Sequence, residues 1–164
     1  MANIVFNKII FDTREGYEAF LRGHDKAAGF SLGWVIPQPQ TRDECEAKYV
    51  LPPEKEIARN KKPWLDILRW QRDHWGVKWD AYDDIDENDE HIGFFRDESC
   101  TIAFNTPWDP PFPVYERMAE QGFCFSYTWT AELDGGYSGS GHVADGEVVI
   151  DEQHFESLEN RLKK

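Results

Sequence analysis

The residues best suited to chemistry are the carboxylates concentrated between positions 80 and 98, where nine acids accompany a single arginine. Asp84, Asp86 and Asn88 occupy the first three ligand positions of an EF-hand-like calcium loop. The pattern then fails, because the sixth position lacks glycine and the twelfth holds Phe95 instead of a bidentate glutamate. The stretch is therefore interpreted as a solvated loop or a protein-docking patch, with no metal ligand set.

Other reactive side chains are present without catalytic or metal-binding spacings. Asp80 and Asp83 could pair for acid–base chemistry, but strand alternation predicts that they face solvent. Three widely spaced cysteines and five histidines show no zinc spacing, and a cysteine–histidine pair assembled in space stays an open alternative. The glycine-rich run at 135–141 lacks the ending of a phosphate loop and is interpreted as a hairpin turn. The sequence thus predicts no enzyme, no cofactor and no metal.

The aromatic residues Trp75, Trp79, Tyr82 and Trp108 form a second candidate set. They could make a stacking platform for bases or a recognition hot spot, but most of them are interpreted as core. Trp108 in particular is predicted to pack against the helix that ends at Trp75. Its replacement by alanine would then cost on the order of 3–5 kcal/mol.

Composition indicates one soluble domain with an acidic surface. The chain has 164 residues, 40% hydrophobic content and a net charge of -13. Such a surface repels nucleic-acid backbones and membrane headgroups, and it favours a basic protein partner. Three cysteines without a disulfide pattern, and no signal peptide or apolar span, indicate the cytoplasm.

The order of predicted elements indicates an α+β fold. In the first half of the chain, periodicity and capping residues predict a central strand at 4–11, a helix starting at Asp12, a polar helical insertion at 40–62 and a helix from Pro63 to Trp75. A strand at 77–82, an acidic loop at 83–91 and extended segments at 92–96 and 100–104 follow. The second half is predicted to contain a helix capped by Asp109, strands at 123–133, 137–143 and 147–150, and a terminal helix from Asp151. This is a ferredoxin-like split βαβ domain over residues 1–164, with an inserted helix, a C-terminal antiparallel β meander and a terminal helix.

Two phrases resemble a known family. Residues 75–82 (WGVKWDAY) and 104–114 (FNTPWDPPFPV) are similar to the YubB-like ferredoxin-fold family of small plasmid and phage proteins, formerly a domain of unknown function. The resemblance implies the fold and an origin in a mobile genetic element. It brings no catalytic residues to this chain.

Acidity and resemblance together predict a non-enzymatic binding protein. It would dock on a basic, nucleic-acid-handling host protein, such as a defence enzyme, or on a nucleoprotein complex, and inhibit it. The candidate partner-binding residues are Trp79, Tyr82, Asp83, Asp84, Asp86, Glu87, Asp89 and Glu90. The alternative is a single-stranded nucleic-acid-binding accessory protein using aromatics on the sheet face, and a small enzyme is third.

Overall fold

A computed structural model describes residues 3–38, 64–83, 93–131 and 137–155 of the chain. In these ranges six strands form one sheet, in which every pair of neighbouring strands is antiparallel. The strands are β1 (Ile4–Phe11), β2 (Phe95–Arg96), β3 (Thr101–Pro107), β4 (Phe125–Ala131), β5 (Tyr137–Ala144) and β6 (Glu147–Phe155). Their order across the sheet is β2-β3-β1-β4-β5-β6. The predicted α+β class and antiparallel C-terminal meander are confirmed.

Three α-helices accompany the sheet within the described ranges: α1 (Arg14–Leu21), α2 (Trp64–Trp75) and α3 (Phe112–Glu120). Short 3₁₀ helices lie at Lys26–Ala28, Leu32–Trp34 and Asp97–Ser99. No helix in the described part of the chain is long and apolar enough to cross a membrane.

The helix starts differ from the predicted caps. Thr13, one residue after the predicted Asp12, caps α1, because its hydroxyl accepts from the backbone N–H of Gly16. Helix α3 begins after Pro111 without a side-chain cap. Asp109 does not cap it, and its carboxylate instead accepts a hydrogen bond from Tyr137.

The core lies between one face of the sheet and the helices. Strand β1 is central, as its apolar residues on both faces predicted, and Val5, Ile9 and Phe11 are buried. The ring of Phe11 contacts the ring of Tyr17 on α1, with 5.7 Å between centroids. Each large side chain buried here stabilises the fold by about 1.5–3 kcal/mol. This packing makes the sheet a rigid platform for the surface residues at its ends.

The other face of the sheet carries small hydroxyl side chains. Ser126, Thr128 and Thr130 alternate along β4 as exposed residues, while the aromatic residues of that strand point into the core. On this open face His142 lies opposite Ser126, and its Nδ1 is 2.8 Å from a carboxylate oxygen of Asp151. The described open face therefore displays hydroxyl groups along β4, where the alternative function expected aromatic rings.

Two glycines in β5 let aromatic rings of β4 lie across it. A Cβ atom on Gly139 would lie 2.2 Å from the ring of Trp129, and one on Gly141 would lie 2.3 Å from the hydroxyl oxygen of Tyr127. The hydroxyl of Tyr127 donates to the carbonyl of Val149 at 2.8 Å. These contacts attach β6 to the core across β5.

Two predicted elements are wrong where the structure describes them. The segment at 77–82 is not a strand, and only Tyr82 makes an isolated bridge, to Asn105. The helix predicted from Asp151 is absent through residue 155, because β6 continues and pairs Phe155 with Tyr137. Pairing with a neighbouring strand overrides a weak local helix pattern. The insertion at 40–62, residues 84–91 of the acidic loop and residues 156–164 lie outside the described ranges.

Candidate functional site

Trp108 is exposed and holds an unusual backbone conformation. Its side chain is 45% exposed, and its φ angle is 69°. The N–H of Asp109 donates to the carbonyl of Pro107 at 2.9 Å, which is the hydrogen bond of a γ-turn centred on Trp108. A positive φ is rare for a bulky residue and costs roughly 1–2 kcal/mol. The prediction that Trp108 is a core residue is therefore wrong.

The surrounding backbone holds Trp108 in this turn. Its N–H donates to the carbonyl of Asn3 at 2.7 Å, and the hydroxyl of Thr106 donates to the carbonyl of Asp109 at 2.6 Å. Pro107, directly before it, ends β3 and pairs with Ile4 at the start of β1. The strained residue is thus fixed on both sides by the end of the sheet.

A shallow depression lies beside Trp108. It has a volume of about 280 Å³ and is lined by Arg72, Gly76, Val77, Lys78, Pro107, Trp108 and Asp109. The ammonium nitrogen of Lys78 lies 5.9 Å from the centroid of the Trp108 ring, within cation–π range. Trp79 follows Lys78 in the chain and is 41% exposed. Trp108 and Lys78 are therefore presented together beside a concave surface.

The helix end beside this depression is tightly packed. Gly76 directly follows α2 and has a φ of 77°, and a Cβ atom there would lie 2.7 Å from the ring of Pro113. Only glycine combines this backbone angle with so close an approach. The contact holds the segment that carries Lys78 and Trp79 against the start of α3.

A chain of contacts extends the surface from Trp108 to the end of β6. The hydroxyl of Tyr137 donates to the carboxylate of Asp109 at 3.2 Å. Burial, and then the Asp109 carboxylate, raise the pKa of Tyr137 to about 12, so the hydroxyl keeps its proton at neutral pH. The ring of Tyr137 meets that of Phe155 edge to face at 5.9 Å. Phe155 is 69% exposed.

These residues define what we call the aromatic surface. Its members are Lys78, Trp108, Asp109, Tyr137 and Phe155, together with the exposed Trp79, which follows Lys78 in the chain. Sequence reasoning named Trp79 as a candidate and treated Trp108 and Phe155 as buried or helical. Trp108 and Phe155 are far apart in the chain, and the sheet brings the end of β3, the start of β5 and the end of β6 to the same end of the domain.

The predicted partner-binding residues divide into two groups. Trp79 is exposed, while Tyr82 and Asp83 are half-buried beside β3. The carbonyl of Asp83 accepts from the side-chain amide of Asn105 at 2.7 Å. The remaining candidates, Asp84, Asp86, Glu87, Asp89 and Glu90, lie outside the described residues.

Asp80 has a structural role that strand alternation missed. Its carboxylate accepts from the hydroxyl of Ser31 at 2.5 Å and from the N–H groups of Leu32 and Ala81 at 2.7 and 2.8 Å. These bonds tie the segment after α2 to the 3₁₀ helix at Leu32–Trp34. Asp80 does not point freely into solvent, and its carboxylate is engaged in holding this segment.

The described residues contain no cluster of three or more His, Cys, Asp or Glu side chains able to hold a metal. Cys100 is buried and Cys124 is exposed.

Comparisons of the chain with protein-family models, with curated proteins and with solved structures found no match. The family resemblance at 75–82 and 104–114 stays a prediction.

Proposed function

We propose that this protein is a non-enzymatic binding protein of a mobile genetic element. It docks on a basic, nucleic-acid-handling protein of the host and inhibits it. The observation that carries the proposal is Trp108, an exposed tryptophan fixed in a strained turn. Such strain persists where the surrounding structure enforces it, and it concentrates at functional sites. A protein-binding hot spot is the function that an exposed, preorganised tryptophan fits best.

The charge of the chain supports a basic partner. A net charge of -13 steers a positively charged protein toward the domain and makes its association fast and sensitive to salt. The aromatic surface supplies the apolar contact, and the acidic remainder of the chain supplies the long-range attraction. Inhibition follows if the occupied surface of the partner is the basic groove in which it normally holds nucleic acid.

We also propose that the fold is of the ferredoxin-like type. The order β2-β3-β1-β4, with α1 between β1 and β2 and α3 between β3 and β4, supports a ferredoxin-like split βαβ arrangement. Strands β5 and β6 extend it by a meander. The family resemblance to plasmid and phage proteins points to the same arrangement and to a mobile-element origin.

Replacing Trp108 by glycine tests the binding role. Glycine accepts the positive φ, so the substitution relieves roughly 1–2 kcal/mol of backbone strain. This gain in the free energy of unfolding offsets two losses, namely the ring contacts of Trp108 and the greater conformational freedom that glycine gives the unfolded chain. We expect the free energy of unfolding to stay within about 1 kcal/mol of the original. Capture of basic proteins from a host lysate, quantified by mass spectrometry, should fall at least tenfold.

Ile10→Ser provides the matched control. Ile10 is 41% exposed, much like Trp108, but it lies at the opposite end of β1 on the open face. Its replacement should leave capture unchanged, whereas raised salt should weaken capture by the original protein. If Trp108→Gly captures the same basic proteins as the original, Trp108 is not a hot spot and the proposal loses its main support.

A second candidate function has one observation in its favour. Lys78 and Arg72 line the depression beside exposed Trp108, and cationic side chains among aromatic rings suit single-stranded nucleic acid. The hydroxyl side chains along β4 and the net charge weigh against it. A gel-shift with mixed single-stranded DNA and RNA at low salt separates the two functions, and strong binding lost in Trp108→Gly would reverse their order.

A further inference from the structure

Strand β6 is a long edge strand with one side unpaired among the described residues. It spans nine residues at the end of the sheet and pairs only with β5 in that part of the chain. The N–H and C=O groups on the outer side of an edge strand are a template for another strand. Natural edges are commonly protected by lysine, by proline, by short length or by bulges; β6 has none of the first three, and it carries one register shift opposite Ser140 and Gly141.

The side chains of β6 are suited to a partner of particular chemistry. Val149, Ile150 and Phe155 supply three of the six exposed large hydrophobic residues in the described ranges. Glu147, Asp151 and Glu152 are exposed on the same strand, which holds no lysine or arginine. The edge therefore offers apolar contact together with three negative charges.

These charges decide between a second copy and a different partner. Antiparallel pairing of two β6 strands would bring six carboxylates together, and the possible cations described beside them in each copy are His154 and His142, whose Nδ1 lies 2.8 Å from Asp151. Like charges facing each other across strands are destabilising. An extended segment rich in lysine or arginine would instead place opposite charges across the new ladder.

The edge is also anchored to the core and continuous with the aromatic surface. Tyr127 donates to the carbonyl of Val149, which ties the middle of β6 to the core. At its end, Phe155 contacts Tyr137 of the aromatic surface. A segment paired with β6 would thus lie directly beside that surface. Because β6 is already extended, only the incoming segment would lose conformational entropy on binding.

We propose that β6 binds an extended basic segment of the partner protein by strand addition. This inference rests on the proposed function, since it names the part of the basic partner that is held and the way in which it is held. Backbone hydrogen bonds to β6 give the segment its affinity, and its basic side chains face Glu147, Asp151 and Glu152.

Three labelled peptides of equal length test the edge by fluorescence anisotropy. The first alternates lysine and valine, the second carries N-methyl groups on two adjacent central residues, and the third replaces every lysine by glutamate. Adjacent amides point to opposite edges of a strand, so the methylated peptide cannot form a complete ladder in either orientation. We expect the first peptide to bind, the methylated one to bind at least tenfold more weakly, and the acidic one not to bind.

The variant Glu147→Lys/Glu152→Lys supplies the matching change in the protein. Both residues are exposed, so the fold should be kept, and thermal unfolding checks this. Binding of the lysine–valine peptide should fall at least tenfold. If the methylated peptide binds as tightly as the first, the contact is made by charge alone and strand addition is overturned. Strand addition is also overturned if the first peptide does not bind, or if the variant binds it as tightly as the original protein does.

Trp108→Gly separates this inference from the proposed function. A short peptide bound at β6 should keep its affinity for Trp108→Gly, while capture of the whole partner falls. Loss of capture without binding of the lysine–valine peptide would overturn the edge proposal alone. Peptide binding without loss of capture would overturn the hot spot at Trp108 alone.

Discussion

Replacing Trp75 by alanine is expected to lower the free energy of unfolding by about 3–5 kcal/mol. The side chain is 2% exposed, and its ring meets that of Trp70 edge to face at 5.4 Å. Its indole N–H donates to the carbonyl of Ile36 at 2.9 Å, so the substitution also removes the partner of that carbonyl. Chemical denaturation followed by circular dichroism measures the loss.

Trp79→Ala is the control for this prediction. Trp79 lies four positions later and is 41% exposed, so its removal should change stability by no more than about 0.5 kcal/mol. If both substitutions lowered the free energy of unfolding equally, the distinction between a core and a surface tryptophan in this region would be wrong. The aromatic surface would then lose Trp79 as an exposed member.

Replacing Gly141 by alanine should have the second largest effect, a loss of about 3 kcal/mol at the upper end of the usual range for overpacking. An added Cβ atom would lie 2.1 Å from the carbonyl oxygen of Val149 and 2.3 Å from the hydroxyl oxygen of Tyr127. The carbonyl belongs to the backbone of β6 and cannot move without breaking the hydrogen bond from Tyr127. Thermal unfolding measures the loss.

Ser140→Ala, at the preceding position, is the matched control. Ser140 is half-buried on the open face, and its replacement should be nearly neutral. Gly141→Ala should also weaken binding of the lysine–valine peptide, because it displaces the edge strand. A Gly141 variant as stable as the Ser140 variant would show that β6 does not lie against Tyr127 as described.

The segment from 77 to 82 shows why local pattern was insufficient beside α2. Alternation of apolar and polar residues predicted a strand there, with Asp80 facing solvent. Three hydrogen bonds from Ser31, Leu32 and Ala81 instead hold the Asp80 carboxylate, and Tyr82 alone in this segment pairs with the sheet. Two of these donors are almost fifty positions away in sequence, so no local pattern could have shown them.

The C-terminal residues show the same limit at the other edge. Spacing of Phe155 with later leucines favoured a helix, but cross-strand pairing with β5 keeps residues 147–155 extended. The strand predicted at 147–150 is the first part of β6. Its continuation depends on a partner strand, which the local helical spacing did not reveal.

The sequence by itself determined the elements whose patterns are strong and local. Apolar residues on both faces predicted that β1 is central, and alternation in β4 predicted its buried and exposed sides. The sequence also determined the strongly negative net charge of the chain. Only the tertiary structure decided which tryptophans are exposed, because burial depends on neighbours from distant parts of the chain. Trp75 and Trp108 look alike in sequence, but a turn at the end of β3 turns Trp108 outward while packing buries Trp75.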